Sequence, residues 1–344
     1  MAIHIGLIGG GNITDTHARA VRGIEGVEIA AVYGTNASKI NGLCRVHGGI
    51  PYLDFEKFLV HRPMEVVAIG SPSGRHAAEG IAAARCGLHV LMEKPIDSST
   101  RRADDLIEAT DRVGVKLGVM FQDRVKPGTR ELHKWISTGV LGRPLLADAR
   151  VKWYRPQDYY SGSRWRGTIA LDGSGALINQ AVHTVDLLLW LLGDVVRVQS
   201  RTATALHPIE GEDTAIAILE FASGALGVIQ ATTAAYPGYP GRMEITGTEG
   251  TVILEQDRIL AANLRHPQVI TGAVAPDENQ SASSASVSDV RGHQALFEDF
   301  LQAIERNTTP VCDGREGRRS IALVEAIYRA AQNGGAEPVL LDKH

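Results

Sequence analysis

Over the first third of the chain, short valine- and isoleucine-rich runs alternate with helix-like stretches. "IHIGLIG", "VEIAAVY", "EVVAIGS", "HVLMEK" and "VKLGVMF" are apolar almost throughout, as strands covered on both faces are. Between them, "RHAAEGIAAARCG" and "SSTRRADDLIEATDRVG" carry apolar residues at helical spacing, the second opening on Ser and Thr as caps. This alternation predicts parallel strands joined by right-handed crossovers, a doubly wound sheet that ends near residue 122.

After Gln122 the pattern changes. A helix is predicted near "TRELHKWISTG", a strand over "LLADARVKWY", then a polar and aromatic loop and the apolar helix "ALINQAVHTVDLLLWLLG". "DTAIAILEFASGALGVIQATTAA" reads as two antiparallel strands around Ser223-Gly224, and "RMEITGTEGTVILEQ" as a second hairpin. Residues from about 265 to 292 are poor in core residues and read as a long surface loop or a disordered segment, and two helices follow, "HQALFEDFLQAIER" and "REGRRSIALVEAIYRAAQNG". The predicted organisation is two α/β domains, 1–122 with a parallel sheet and 123–344 with an open, mostly antiparallel one.

A length of 344 residues fits two domains, each able to bury its own core. With 44% hydrophobic and 22% charged residues the chain is neither disordered nor fibrous, and no uninterrupted apolar run is long enough to cross a bilayer. A net charge of -4 with dispersed cations argues against nucleic acid. Cys44, Cys86 and Cys312 are too scattered for a disulfide framework, and neither they nor any H-E-x-x-H pattern indicates a metal. "MAIHIGLIG" enters a strand directly, without the layout of a signal peptide, so a cytoplasmic location is expected.

"IGLIGGGNITDTHARA" sets Gly9, Gly11 and Thr14 in a G-x-G-x-x-T pattern between a strand and a helix. The first glycine permits the tight turn, and the second lets a pyrophosphate approach the backbone where a helix N-terminus offers N–H donors. Gly10, Asn12 and Ile13 complete the turn; Thr14 departs from the usual small residue. The expected ligand is a nicotinamide dinucleotide. At the end of the second strand an acidic residue would bind the ribose hydroxyls of NAD, but here stands Gly34, followed by Thr35, Asn36 and Lys39. That favours NADP slightly, with Lys39 near a 2′-phosphate. The alternative is that Lys39 is a solvated helix charge and NAD is accepted.

"INQAVHTVD" places Asn179, His183 and Asp186 on one stripe of a leucine-rich helix. Unpaired buried polar groups cost about 1 to 3 kcal/mol each, so that stripe either finds partners or lines a wet cleft. The preceding "VKWYRPQDYYSGSRWRG" is dense in aromatic and guanidinium groups, which suit polyhydroxylated ligands; Tyr154, Arg155, Tyr159 and Tyr160 are candidates for substrate contact or for packing.

With "SPSGRH", "LMEKPID" and "INQAVHTVD" following the glycine turn in order, the chain resembles the Gfo/Idh/MocA family, the glucose-fructose oxidoreductase and inositol dehydrogenase group, over nearly its whole length. The resemblance implies a Rossmann domain, a second domain whose open sheet supports homodimers or homotetramers, and NAD(P)-dependent hydride transfer on a sugar, cyclitol or related polyol. It gives Lys94 a place against both cofactor and substrate hydroxyl, and His183 the role of proton acceptor. It adds Ser71, Pro72, His76, Glu93, Gln122, Trp165 and Arg166 as cofactor contacts, and Arg124, Tyr154, Arg166 and Asn179 as substrate contacts. Many relatives carry Asp where this chain has Asn179, which can orient the imidazole but not charge it. Asp186 resembles a downstream acid of the family or supplies a structural hydrogen bond. Other readings consistent with the pattern are an NAD-dependent glycoside hydrolase and a non-catalytic dinucleotide sensor.

Overall fold

The computed structural model describes residues 2–162, 165–173, 175–269 and 289–341. The chain forms two compact units, one made of Met1–Gln122 with Ala285–Arg318 and the other of Asp123–Ser284 with Arg319–His344. The expected second domain, 123–344, is therefore divided, because part of its C-terminal sequence returns to the first unit.

The first unit is built on six parallel strands, β1 (Ile3–Ile8), β2 (Val27–Tyr33), β3 (Ile50–Tyr52), β4 (Val66–Ile69), β5 (His89–Glu93) and β6 (Leu117–Met120), in the order β3-β2-β1-β4-β5-β6. This is the doubly wound order, with the switch point beside β1. Five strands match the sequence expectation, and β3 is a short sixth at the edge. Helices α1 (Asn12–Arg22), α2 (Ala37–His47), α3 (Phe55–Leu59), α4 (His76–Arg85) and α5 (Thr100–Val113) connect them. Every residue of β4 and β6 is buried, which explains their unbroken apolar runs. Ser99 caps α5 by accepting a hydrogen bond from Arg102 N, as its sequence predicts.

The second unit contains α6 (Pro127–Ser137), β7 (Pro144–Lys152), the short α7 (Gln157–Ser161) and α8 (Ile169–Asp172), and α9 (Val182–Leu192). Its sheet continues through β8 (Val195–Ala203), β9 (Thr214–Phe221), β10 (Leu226–Thr232), β11 (Arg242–Gly247), β12 (Gly250–Glu255) and β13 (Arg258–Leu264). With a C-terminal edge strand it has eight members, and among the described residues only β10 and β7 pair in parallel. Both predicted hairpins form, β9 with β10 and β11 with β12. Strand alternation buries Ala147, Ala149, Leu219 and Ile229 on one face, while Leu146, Ile216, Ile218 and Leu226 stay exposed.

The segment between Ile169 and Leu192, though interrupted by polar residues, is by length and average composition apolar enough to cross a membrane. Of its most apolar window 78% is buried inside the protein, as in a core helix. The chain then returns to the first unit with α10 (Arg291–Glu305), which buries His293, Leu296, Phe297, Phe300 and Leu301 as one helical stripe. The division between units falls within α11 (Gly314–Asn333), and β14 (Glu337–Pro338) closes the second sheet against β8. Most of the predicted loop 265–292, its residues 270–288, lies outside the described residues.

Candidate active site

In the first unit the glycine turn has the form a dinucleotide needs. Gly9 has φ 130°, a conformation side chains rarely adopt, and a Cβ there would lie 2.5 Å from Thr14 Oγ1 and 2.9 Å from Gly70 O. Thr14 is buried and takes the space that the missing Cβ leaves, which accounts for its use at the third motif position. Around Gly11 a Cβ would meet nothing within 4 Å, and α1 begins without a side-chain cap. Backbone N–H groups of Asn12 and Ile13 thus lie at a helix start that is open to an anion.

Gly34 has a steric reason that its sequence did not reveal. A Cβ would fall 2.7 Å from Ile40 Cγ2 and 3.2 Å from Gly9 O, so a larger residue there would have to displace the Ile40 side chain and press on the turn. Packing therefore accounts for Gly34 independently of any 2′-phosphate, which weakens the first support of the argument for NADP. Asn36 accepts a hydrogen bond from Lys39 N at 3.1 Å and so caps α2. Thr35 and Lys39 are exposed, and Lys39 borders a cavity of about 490 Å³ with Gly10, Gly11, Asn12, Arg19 and His47.

Lys94 lies on the loop after β5, and that loop is held from behind. His76, expected at the cofactor, is 1% exposed; its Nδ1 is 2.8 Å from Pro95 O and its Nε2 2.9 Å from Ser71 O. Ser71 donates its hydroxyl to Glu79, whose carboxyl is raised by burial against that bond and the charge of Arg75. The buried Asp97 accepts hydrogen bonds from Ala77 N and Ser98 N and pairs with Arg102. Glu93 is also turned inward, toward His17 and His293. His76 and Glu93 therefore support the loop rather than face a ligand, which corrects their placement among the cofactor contacts. Pro72 starts the turn that leads into α4. Gln122, at the end of this unit, keeps a buried Oε1 that has no hydrogen-bond partner among the described residues.

In the second unit the segment Ala176–Ala181 is a π-helical turn running into α9. It shifts the phase of Asn179 relative to α9, so the predicted single stripe is not found: Asn179 and His183 are partly exposed, while Asp186 is fully buried. Asp186 accepts two hydrogen bonds from Arg124, from Nε at 2.8 Å and Nη2 at 2.7 Å, and a longer one from Ser320. Arg124, expected at the substrate, is 1% exposed and committed to this pair, over the ring of Trp190. Trp190 stacks in turn on His133, whose pKa is lowered by burial and by the charge of Arg124.

Around Asn179 a polar network forms that includes residues the sequence did not single out. Asn179 donates to the buried Asp172, which also accepts Gly167 N, and Gln180 Nε2 donates to Asn179 Oδ1 at 3.1 Å. Gln180 accepts from Arg155 at 2.8 Å and donates to the Tyr159 hydroxyl at 3.0 Å. Tyr159 carries Arg155 at 5.3 Å and Arg166 at 4.2 Å from its ring centroid, and Arg166 also lies over Trp165. Asp172 in "LDGSG" and Gln180 beside Asn179 gave no periodic signal. Tyr160 donates to Thr233, and burial first among its causes pushes its phenol up to about 12. Tyr154 packs edge-on against Tyr236 instead. The turn starts under Glu212, which accepts Leu177 N and the Tyr328 hydroxyl.

Two family models match the chain: the oxidoreductase family with an NAD-binding Rossmann fold over residues 3–121, and the GFO/IDH/MocA C-terminal domain over 129–253. A solved structure of the WlbA dehydrogenase from Bordetella pertussis, in complex with NADH and UDP-GlcNAcA, is 33% identical with a TM-score of 0.89, covering 99% of this chain and 98% of that one. D-apiose dehydrogenase from Paraburkholderia graminis is 26% identical over 95% of this chain and 87% of its own length. Myo-inositol 2-dehydrogenase from Thermotoga maritima is 25% identical over 96% of each.

Proposed function

The chain belongs to the Gfo/Idh/MocA oxidoreductase family, and on that premise we propose that it transfers a hydride between NAD(H) and a secondary alcohol or ketone of a sugar, cyclitol or related polyol. The observation that carries this reading is the open glycine turn and uncapped α1 in the same unit as the braced Lys94 loop. NAD(H) is favoured over NADP because Gly34 is explained by packing, while Lys39 alone remains to meet a 2′-phosphate.

The bound nicotinamide supplies or takes the hydride. Lys94 provides a cation that stabilises charge developing on the substrate oxygen, and in the reductive direction polarises the carbonyl. His183 exchanges the hydroxyl proton, a role that typically contributes about 10²- to 10⁴-fold. Asn179, held through its amide by Asp172 and through its oxygen by Gln180, serves to orient ring or hydroxyl and adds no charge. Arg155, Tyr159 and Arg166 offer planar donors and an aromatic face of the kind that recognises polyhydroxylated ligands.

The test is turnover of myo-inositol, D-apiose, levoglucosan and a UDP-linked uronic acid sugar, each with NAD and NADP, together with NADH binding followed by fluorescence. NADH formation on at least one polyol, faster with NAD, is expected. Failure to bind NADH, with no turnover of any compound, overturns the proposal. The exposed Leu146, Ile216, Ile218 and Leu226 on the open sheet face favour a homodimer or homotetramer. A monomer in light scattering would refute that assignment.

A further inference from the structure

Three buried groups from distant parts of the chain meet behind Lys94. His17 of α1 and His293 of α10 both direct Nε2 at Glu93 Oε1, at 3.0 and 3.2 Å, and Glu93 Oε2 accepts Lys94 N at 3.2 Å. None of the three is more than 5% exposed, and the His17 ring is packed edge-on against Phe297 of α10. One carboxylate oxygen has two lone pairs and so accepts both N–H groups. His293 Nδ1 is buried and has no hydrogen-bond partner among the described residues, so its hydrogen-bonding nitrogen is the Nε2 that faces Glu93. Burial lowers the pKa of His17 against the pull of Glu93. For Glu93, burial alone would raise the pKa, yet the two imidazole hydrogen bonds outweigh it and hold the carboxyl well below its usual range.

We propose that His17 and His293 are positioning residues for Lys94: two imidazole N–H groups clamp the Glu93 carboxylate, which fixes the backbone from which the lysine projects and keeps a permanent anion beside it. Because His17 sits on the helix that begins at the glycine turn, the clamp also ties the dinucleotide-binding element to the lysine loop. The inference rests on the reading of Lys94 given above. The same His–Glu–His donor set can hold a metal ion, but imidazoles that donate protons to the carboxylate cannot also donate their Nε2 lone pairs.

The experiment compares Glu93→Gln, His293→Leu, His293→Gln and Lys94→Ala in the full-length chain, each checked for native circular dichroism and NADH binding. Turnover uses the fastest substrate of the panel, and the pKa of Lys94 is read without substrate, from the pH dependence of its acetylation by acetic anhydride. His293→Leu should lower kcat roughly 10- to 100-fold, as expected of a displaced reacting group, with NADH affinity within about threefold. His293→Gln, which keeps a terminal N–H donor, should recover most of the loss. Glu93→Gln removes the anion, so the Lys94 pKa and the alkaline limb of kcat should move to lower pH; a role in folding alone would scale the rate and leave both in place. Unchanged kcat and Lys94 pKa in the folded Glu93 and His293 variants, with Lys94→Ala inactive, would overturn the clamp and spare the lysine. Normal turnover by Lys94→Ala would instead remove the lysine assignment. Stoichiometric metal in the purified protein would overturn the hydrogen-bonded clamp.

Discussion

Replacing Asp186 by Ala should destabilise the second unit by about 3 to 5 kcal/mol, the range for removing one partner of a buried ion pair. Both partners are essentially inaccessible, and the carboxylate takes two guanidinium N–H groups at 2.8 and 2.7 Å, so water cannot replace it without opening the core. For a unit of ordinary domain size this corresponds to a midpoint lowered by roughly 6 to 20 °C. Desolvating both ions costs nearly what their attraction returns, so the paired replacement Arg124→Met with Asp186→Leu should fall within about 2 kcal/mol of the parent. Urea unfolding of the parent, both single variants and the double variant supplies the cycle. A loss under about 1 kcal/mol for Asp186→Ala, or a double variant as unstable as the sum of the singles, would refute the argument. Turnover abolished in a stable double variant would return Asp186 to the chemistry.

Lys94→Ala and His183→Ala should each lower kcat at least about 100-fold while NADH affinity, by fluorescence, changes little; near-normal turnover removes the residue from its role. Gly34→Asp should fail to switch the enzyme toward NAD and should weaken both dinucleotides, because its Cβ collides with Ile40 and the Gly9 carbonyl; a clean gain in NAD preference measured as kcat/KM would refute this. Glu212 sets a pH dependence of stability. Burial pushes its carboxyl up to about 7 from 4.5 despite the hydrogen bonds from Leu177 N and Tyr328, so the folded state holds a proton that the unfolded chain releases. The stability this confers is complete below about pH 4.5 and is lost as pH rises through about 7. At about 1.4 kcal/mol per pH unit the change is roughly 3 kcal/mol, which Glu212→Gln should abolish; equal slopes of stability against pH in parent and variant would contradict it.

The parallel sheet was legible in the sequence because each strand announces itself locally: "EVVAIGS" and "VKLGVMF" are apolar runs closed by turn residues, and the glycine turn occupies one continuous stretch. Both hairpins were visible for the same reason. The return of α10 to the first unit was not, since the contact of His293 with Glu93 spans 200 residues and leaves no periodicity to read. Gly34 was misread because the same residue satisfies a specificity rule and a packing constraint, and only coordinates separate the two. Asp186 looked like one of three polar residues on a helical stripe until the π turn shifted Asn179 out of phase and Arg124 claimed the acid. The networks on Asn179 escaped notice because Asp172 and Gln180 act through side-chain hydrogen bonds, which have no sequence signature of their own.

The contribution of α10 to the first unit bears on how the protein is made. A ribosome that has just passed residue 122 has translated all six strands of the dinucleotide fold, yet Phe297 and His293, which pack against the inner flank of α1 and its Glu93 partner, do not exist until about 170 more residues have been added. The nascent fold must wait with that flank bare, a substrate for chaperones, while the second unit is synthesised in between. A product cut short between residue 122 and α10 therefore lacks the His293 brace on its lysine loop.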